Sequence, residues 1–262
     1  MLVRHDLRYA LSSPRGLLFL IFFALLWGWG FYKLAGGAAE DLGKGQSSLL
    51  IAWLFDMKVL HLVQERPPTL VAYFVAATWL APLFAMLGSC DQTASDLGTR
   101  HIRFLIPRVG RAEIFIARFL GAAILVTSAQ LLAGVGATIV TMIASSGDRG
   151  DIVAFGAQVT AILMVYSLPF VALMSLVSAA MASVGLAMLV GLAGYVLLAI
   201  ALSALPLEGT AATIIPLLLP SGLKPHFHQP DMGPALIAAA ACLIYVAVYA
   251  VLGWQVFRRR DA

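Results

Sequence analysis

The groups best able to do chemistry are sparse and sit in three places. In "PHFHQPD" the residues His226, His228 and Asp231 fall within six positions. Two imidazoles and a carboxylate are zinc-type ligands, so a metal site is a candidate there; a polar loop capping a re-entrant turn is the favoured reading. The stretch "GAAEDLGKG" (Gly37–Gly45) has the Gly-Lys pair of a phosphate-cradling loop. However, five residues rather than four separate Gly37 from Gly43, no Ser or Thr follows Lys44 to hold magnesium, and no strand precedes it. The chain is therefore expected to bind no ATP itself. The third place, "RHIRFLIPRVGR", puts four arginines and a histidine into twelve residues, Arg100 to Arg111.

No His-Glu-x-x-His or Gly-x-Ser-x-Gly pattern occurs, which removes two common hydrolytic sites. Cys90 and Cys242 give neither a disulfide framework nor metal-type spacing. No pair of carboxylates lies inside a long apolar run, which argues against a transporter driven by buried acids. The notable polar groups inside such runs are Gln130, Tyr166, Ser167 and Tyr195. Two readings fit them. One is helix packing, which small residues such as Ala133, Gly134, Gly136 and Ala137 support. The other is the lining of a pathway, whose apolar walls would suit an amphiphilic cargo.

The elements that carry these residues follow from composition. Of 262 residues, 61% are hydrophobic and 11% charged, with a mean hydropathy of +0.93. Soluble domains carry about 25% charged residues, so the solvent that fits is a bilayer. Six long apolar segments run over roughly 16–35, 69–89, 112–144, 155–182, 184–205 and 233–257. Lipid offers the backbone no hydrogen-bond partners, so each is expected to be a helix. Pro169 should kink the fourth. The expected fold is all-α and membrane-integral, one domain over 1–262. Trp27, Trp29 and Tyr32 stand where a signal peptide would carry small residues for cleavage, so the first segment reads as a retained helix.

The net charge of +4 does not point to nucleic acid, because the arginines stand at the ends of apolar runs. Arg4, Arg8 and Arg15 precede the first; Arg100, Arg103, Arg108 and Arg111 lie between the second and third; Arg258, Arg259 and Arg260 end the last. An even number of spans puts all three clusters, and both termini, on one side, and the positive-inside rule makes that side the cytoplasm. "SSLLIAWLFDMKVLHLVQ" (Ser47–Gln64) would bury Asp56 and Lys58 as a seventh span, at about 2.5–3.5 kcal/mol each. An outer-face interfacial helix is favoured. "LVRHDLRYALSSPRG" gathers Leu2, Val3, Leu7, Ala10 and Leu11 near one helical face, which predicts an N-terminal amphipathic helix on the cytoplasmic surface. Between the fifth and sixth spans, "TAATIIPLLLPSGL" (Thr210–Leu223), with Pro216 and Pro220, reads as a hairpin dipping into the outer leaflet.

The basic segment carries more than charge. Asp91 to Asp96 suit a first helical turn, Gly98-Thr99 can cap a second short helix, and Pro107 ends it. Ile102, Phe104, Leu105 and Ile106 supply apolar knobs. Such an element, held beneath two membrane helices, is suited to docking. Asp96-x-Gly98-Thr99, then Phe104-Leu105-x-Pro107, then Arg111 and Arg118 resemble the cytoplasmic loop signature of ABC-2 type transporter permeases. The start "RHDLRYALSSPRGLL" and the six spans are similar to that family as well. Here Asp96 stands where glutamate is usual, Arg100-His101 replaces Leu-Glu, and "PRVGR" replaces Pro-Val-Ser-Arg.

The resemblance implies a coupling helix between the second and third spans. Asp91, Asp96, Gly98, Thr99, Arg100, Arg103, Phe104, Leu105 and Pro107 would dock it on a separate cytoplasmic ABC ATPase. A second, smaller contact would come from "MASVG" (Met181–Gly185) between spans four and five. ATP and magnesium would belong to that partner, with no cofactor in this chain. Two permease copies would pair, as a homodimer rather than a heterodimer, in a bacterial cytoplasmic (inner) membrane and export a substrate without covalent chemistry. A membrane-integral enzyme, or an immunity-type or structural membrane protein acting alone, remains the alternative.

Overall fold

The computed structural model describes residues 14–38, 62–99, 109–145, 147–205, 214–229 and 232–260. Most of the N-terminal amphipathic segment, most of the 47–64 segment and residues 100–108 lie outside them. The described residues are helical without strands. Six helices are long and apolar enough to cross a membrane, the build of a multi-pass membrane protein. They are α1 (Pro14–Lys33), α2 (Pro68–Ser89), α3 (Arg111–Ala144), α4 (Arg149–Ala180), α5 (Val184–Ser203) and α6 (Met232–Arg259). Five of the six expected segments coincide with these helices to within a few residues. The fourth starts at Arg149, six residues before its hydropathic segment, because Asp148 caps it by accepting from the Asp151 N–H at 3.2 Å.

At 1.5 Å per residue, α3 and α4 are about 51 and 48 Å long, against a hydrocarbon thickness of about 30 Å. Both therefore have ends outside an apolar slab. The first two turns of α3 are such an end, carrying Arg111, Glu113 and Arg118.

Helices α2 and α4 form the centre. Their most apolar windows are 67% and 61% buried, against 11–17% for α1, α5 and α6. Helix α1 joins through one stripe at four-residue spacing, Phe19, Phe23 and Trp27. Phe23 meets Phe84 edge-on at 4.8 Å, and Trp27 meets Tyr73 at 4.7 Å. Lipid supplies no hydrophobic drive between helices, so contacts of this kind and close backbone approach must hold the bundle. Helix α6 supplies the close approach with Ala235, Ala238, Cys242 and Gly253; a side-chain carbon at Gly253 would lie 3.1 Å from the Leu176 backbone of α4.

Candidate docking face and hairpin

At the C-terminal end of α2 the chain turns at Cys90 and forms a single helical turn, Ala94–Gly98. Side chains fasten this turn to α3 and α4. Gln92 Nε2 donates to the Val171 carbonyl at 2.9 Å, and the Thr93 and Ser178 hydroxyls are 3.2 Å apart. Asp96 is buried and its Oδ2 lies 2.8 Å from Arg118 Nη2 on α3. Thr99 closes the turn, donating from its hydroxyl to the Ser95 carbonyl at 2.8 Å. Gly98 is required by space: a side-chain carbon there would run into the Ala182 carbonyl oxygen. The segments after α2 and after α4 are thus in direct contact.

Asp91 is half-buried, while Gly98 and Thr99 are exposed at the rim of this element. Arg100, Arg103, Phe104, Leu105 and Pro107 lie outside the described residues. Across the same end, Arg111 Nη1 donates to the Arg258 and Arg260 carbonyls at 3.0 and 2.7 Å, and Arg260 donates to the Ala180 carbonyl. The last carbonyls of a helix lack intrahelical partners, and guanidinium groups satisfy them here. A small apolar cluster of Ile114, Phe115, Ala179 and Phe257 packs beneath, with Leu97 against it.

The other candidate region is the hairpin between α5 and α6. It consists of two 3-10 turns, Ile215–Leu218 and Pro220–Leu223, and a helical turn, Lys224–Phe227. Tyr245 donates to the Leu217 carbonyl, Ser221 is within hydrogen-bonding reach of Tyr195, and Phe227 meets Tyr166 at 5.6 Å. His228 is buried, with Nε2 3.0 Å from the Thr78 hydroxyl. That hydroxyl sits 2.7 Å from the Phe74 carbonyl and 2.9 Å from that of Val75. Its one hydrogen goes to the backbone, so it accepts from His228, which assigns the proton to Nε2. Thr78 is residue 11 of 22 in α2, Tyr195 residue 12 of 20 in α5 and Tyr245 residue 14 of 28 in α6. With Tyr166, residue 18 of 32 in α4, the hairpin therefore touches four spans about halfway along each.

Lys224 of the hairpin places Nζ 3.9 Å from the centroid of the Trp79 ring. His226 has a buried Nδ1 with no hydrogen-bond partner among the described residues. Asp231 lies outside those residues. Among the described residues no group of three or more His, Cys, Asp or Glu side chains could hold a metal.

The family described as "Protein of unknown function (DUF2705)" matches residues 57–262. The chain belongs to that family. No curated protein matches it. The DUF2705 region takes in α2 through α6, and so both the fastened turn Ala94–Gly98 and the hairpin.

Within the DUF2705 region the four polar residues singled out inside the spans are all at least partly buried. The Phe170 ring has Tyr166 at 5.3 Å on one side and Tyr195 at 5.5 Å on the other, both edge-on. Ser167 donates to the Met164 carbonyl of its own helix at 2.8 Å. Gln130, on α3, is 2% exposed, and its side-chain oxygen has no partner among the described residues. None of the four lines a narrow cleft beside the start of α2 and of α4, whose walls include Arg66, Phe74, Phe155, Gln158 and Gln229. Sequence reasoning missed Gln92 and Thr93, and read Arg111 and Arg260 for their charge and not for the carbonyls they cap. Gln92 and Thr93, polar residues just past an apolar run, were the available signal.

Proposed function

We propose that this chain is the membrane subunit of an ATP-driven ABC-2 type exporter in a bacterial cytoplasmic membrane, with both termini cytoplasmic. Two copies pair around a route, and each docks a separate ABC ATPase through the segment between α2 and α3. The hairpin between α5 and α6 is re-entrant from the outer side. The observation that carries the reading is how the turn Ala94–Gly98 is held: by Asp96 to Arg118 on α3, by Thr93 to Ser178 on α4, and by Gly98 against Ala182. A push on the residues that follow it is delivered to three spans and to the α4–α5 link at once. A loop that served only to orient the chain would need the charge and none of this bracing. Asp96 in this scheme positions the docking segment, and Phe104 and Leu105 anchor it.

The test is whether a neighbouring gene encodes a soluble protein with a Walker A motif and an ABC signature, and whether this chain assembles with that protein. The wild-type chain is expected to copurify with it and to bind no nucleotide when alone. A few buried apolar anchors dominate docking energy, whereas exposed ion pairs contribute about 0–1 kcal/mol. Phe104→Ala should therefore weaken assembly or uncouple hydrolysis, and Arg103→Gln should do so less. Nucleotide binding by the chain alone, or unchanged assembly and coupling in Phe104→Ala, would overturn the reading.

A further inference from the structure

Lys224 is a cation in an unusual place. Its ammonium lies over the Trp79 ring at 3.9 Å, and no carboxylate pairs with it among the described residues. Trp79 is residue 12 of the 22 in α2, next to the Thr78 that binds His228 of the same hairpin. With the ends of α2 at the two faces of a bilayer, Trp79 and Lys224 lie near its middle. An ionised side chain at that depth is costly and ordinarily faces a partner, water or a substrate path. An aromatic face offsets part of the cost, but a ring quadrupole does not neutralise a full charge.

The site opens outward from the bundle rather than into it. Trp79 is 51% exposed, and Ile214 and Leu218 of the hairpin are 57% and 62% exposed. A cation over a half-exposed aromatic ring, on a hairpin whose own aliphatic side chains are uncovered, offers the two halves of a complementary ligand: a negative headgroup for the ammonium and hydrocarbon for the rest. A soluble anion lacks the second half, and a neutral lipid the first.

We propose that Lys224 and Trp79 form a binding site for an anionic amphiphile, with the ammonium holding its headgroup at mid-bilayer depth. The negative charge supplies the counter-ion that the chain's described residues do not, and the aliphatic part covers Ile214, Leu218 and the Trp79 ring. The site rests on the hairpin's placement alone; that its occupant is the exported molecule rests on the transporter reading above. Two sources share the chemistry, an anionic phospholipid entering sideways from the bilayer and a free amphiphile on its way out.

The experiment uses the full chain without any ATPase, so its result is independent of the transporter reading. The protein is reconstituted in equimolar phosphatidylcholine and phosphatidylglycerol, extracted in mild detergent, and its retained lipid counted by mass spectrometry. Wild type and Lys224→Arg should retain phosphatidylglycerol over phosphatidylcholine several-fold, and Lys224→Met should fall to parity. Lys224→Gln, neutral but polar, serves alongside Met in case the latter disturbs the hairpin; the variants compared are those that melt as wild type does. Displacement of the retained phosphatidylglycerol by added lysophosphatidic acid supports the site and assigns it to free amphiphiles. Retention without displacement supports it as a bilayer-lipid site. A phosphatidylglycerol excess in both neutral variants equal to that of wild type overturns the proposal.

Discussion

Asp96 and Arg118 face each other where the C-terminal end of α2 meets the start of α3, with Oδ2 and Nη2 2.8 Å apart and side chains 10% and 21% exposed. At that exposure the pair is neither a free surface contact nor a sealed one. Hydrogen bonds to charged groups contribute about 1.5–3 kcal/mol, and a buried charge left alone costs a comparable amount. Asp96→Asn and Arg118→Gln should therefore each lower the melting temperature in detergent. In a chain of this size about 1 kcal/mol corresponds to a few degrees. The double variant should lose less than the two singles added together, because removing one partner already wastes the other. Strictly additive losses would mean that the two side chains are neighbours without being partners.

Glycines give a second comparison, because the structure separates those that need their hydrogen from those that do not. A carbon at Gly98 would strike the Ala182 carbonyl, whereas nothing lies within 4 Å of one at Gly194 in α5. Gly194→Ala should stabilise by about 0.4–1 kcal/mol, since alanine loses less backbone freedom in a helix. Gly98→Ala should do the opposite, forcing the turn Ala94–Gly98 away from the α4–α5 link. Thermal melting of the two variants checks the ranking, and proteolysis between residues 99 and 110 should quicken in Gly98→Ala alone. Equal behaviour of the two would remove the contact between the segments after α2 and after α4 from the account.

The spans were legible because lipid enforces one simple rule: a helix that crosses it must be apolar throughout, and α3 reads directly as the run after Arg111. That rule is blind to what lies beyond the hydrocarbon. Arg149 and Asp151 broke the apolar run and hid the first turns of α4, although Asp148 at the cap was a readable start. Arg111 and Arg260 read as orienting charges because their number and side are visible in sequence. Their targets, the last carbonyls of α6 and α4, are set only when those helix ends converge. The histidines of "PHFHQPD" invited a metal reading from their spacing. The Thr78 hydroxyl that engages His228 lies 150 residues away, and no local pattern announces such a partner.

Gly134 and Gly136 were readable as packing residues but not assignable to partners, and the structure makes that assignment sharply enough to test. Gly134 of α3 faces Thr160 of α4, and one turn away Gly156 of α4 faces Thr138 of α3. Each threonine turns its hydroxyl back to its own helix: Thr138 donates to the Gly134 carbonyl at 2.8 Å and Thr160 to the Gly156 carbonyl at 2.7 Å. No polar group is left open to lipid, and each helix offers the other a glycine hollow for a threonine. A carbon at Gly134 would overlap the Thr160 hydroxyl and lie 2.8 Å from its Cγ2. Threonine has two favoured rotamers in a helix, both with a heavy atom on the crowded side, and the one here is held by the Gly156 carbonyl, so clearing the added carbon strains that side chain or parts the helices. Gly134→Ala should thus cost about 1–3 kcal/mol, the usual range for overpacking. Adding Thr160→Gly, which moves the hollow to the other helix, should recover most of that loss, even though glycine in α4 carries about 1 kcal/mol of helix penalty. Adding Thr138→Gly instead should recover none, because Thr138 meets Gly156 and not Gly134. Melting temperatures of the two double variants against Gly134→Ala decide the matter: rescue by Thr138→Gly, or none by Thr160→Gly, would show that α3 and α4 meet in a different register.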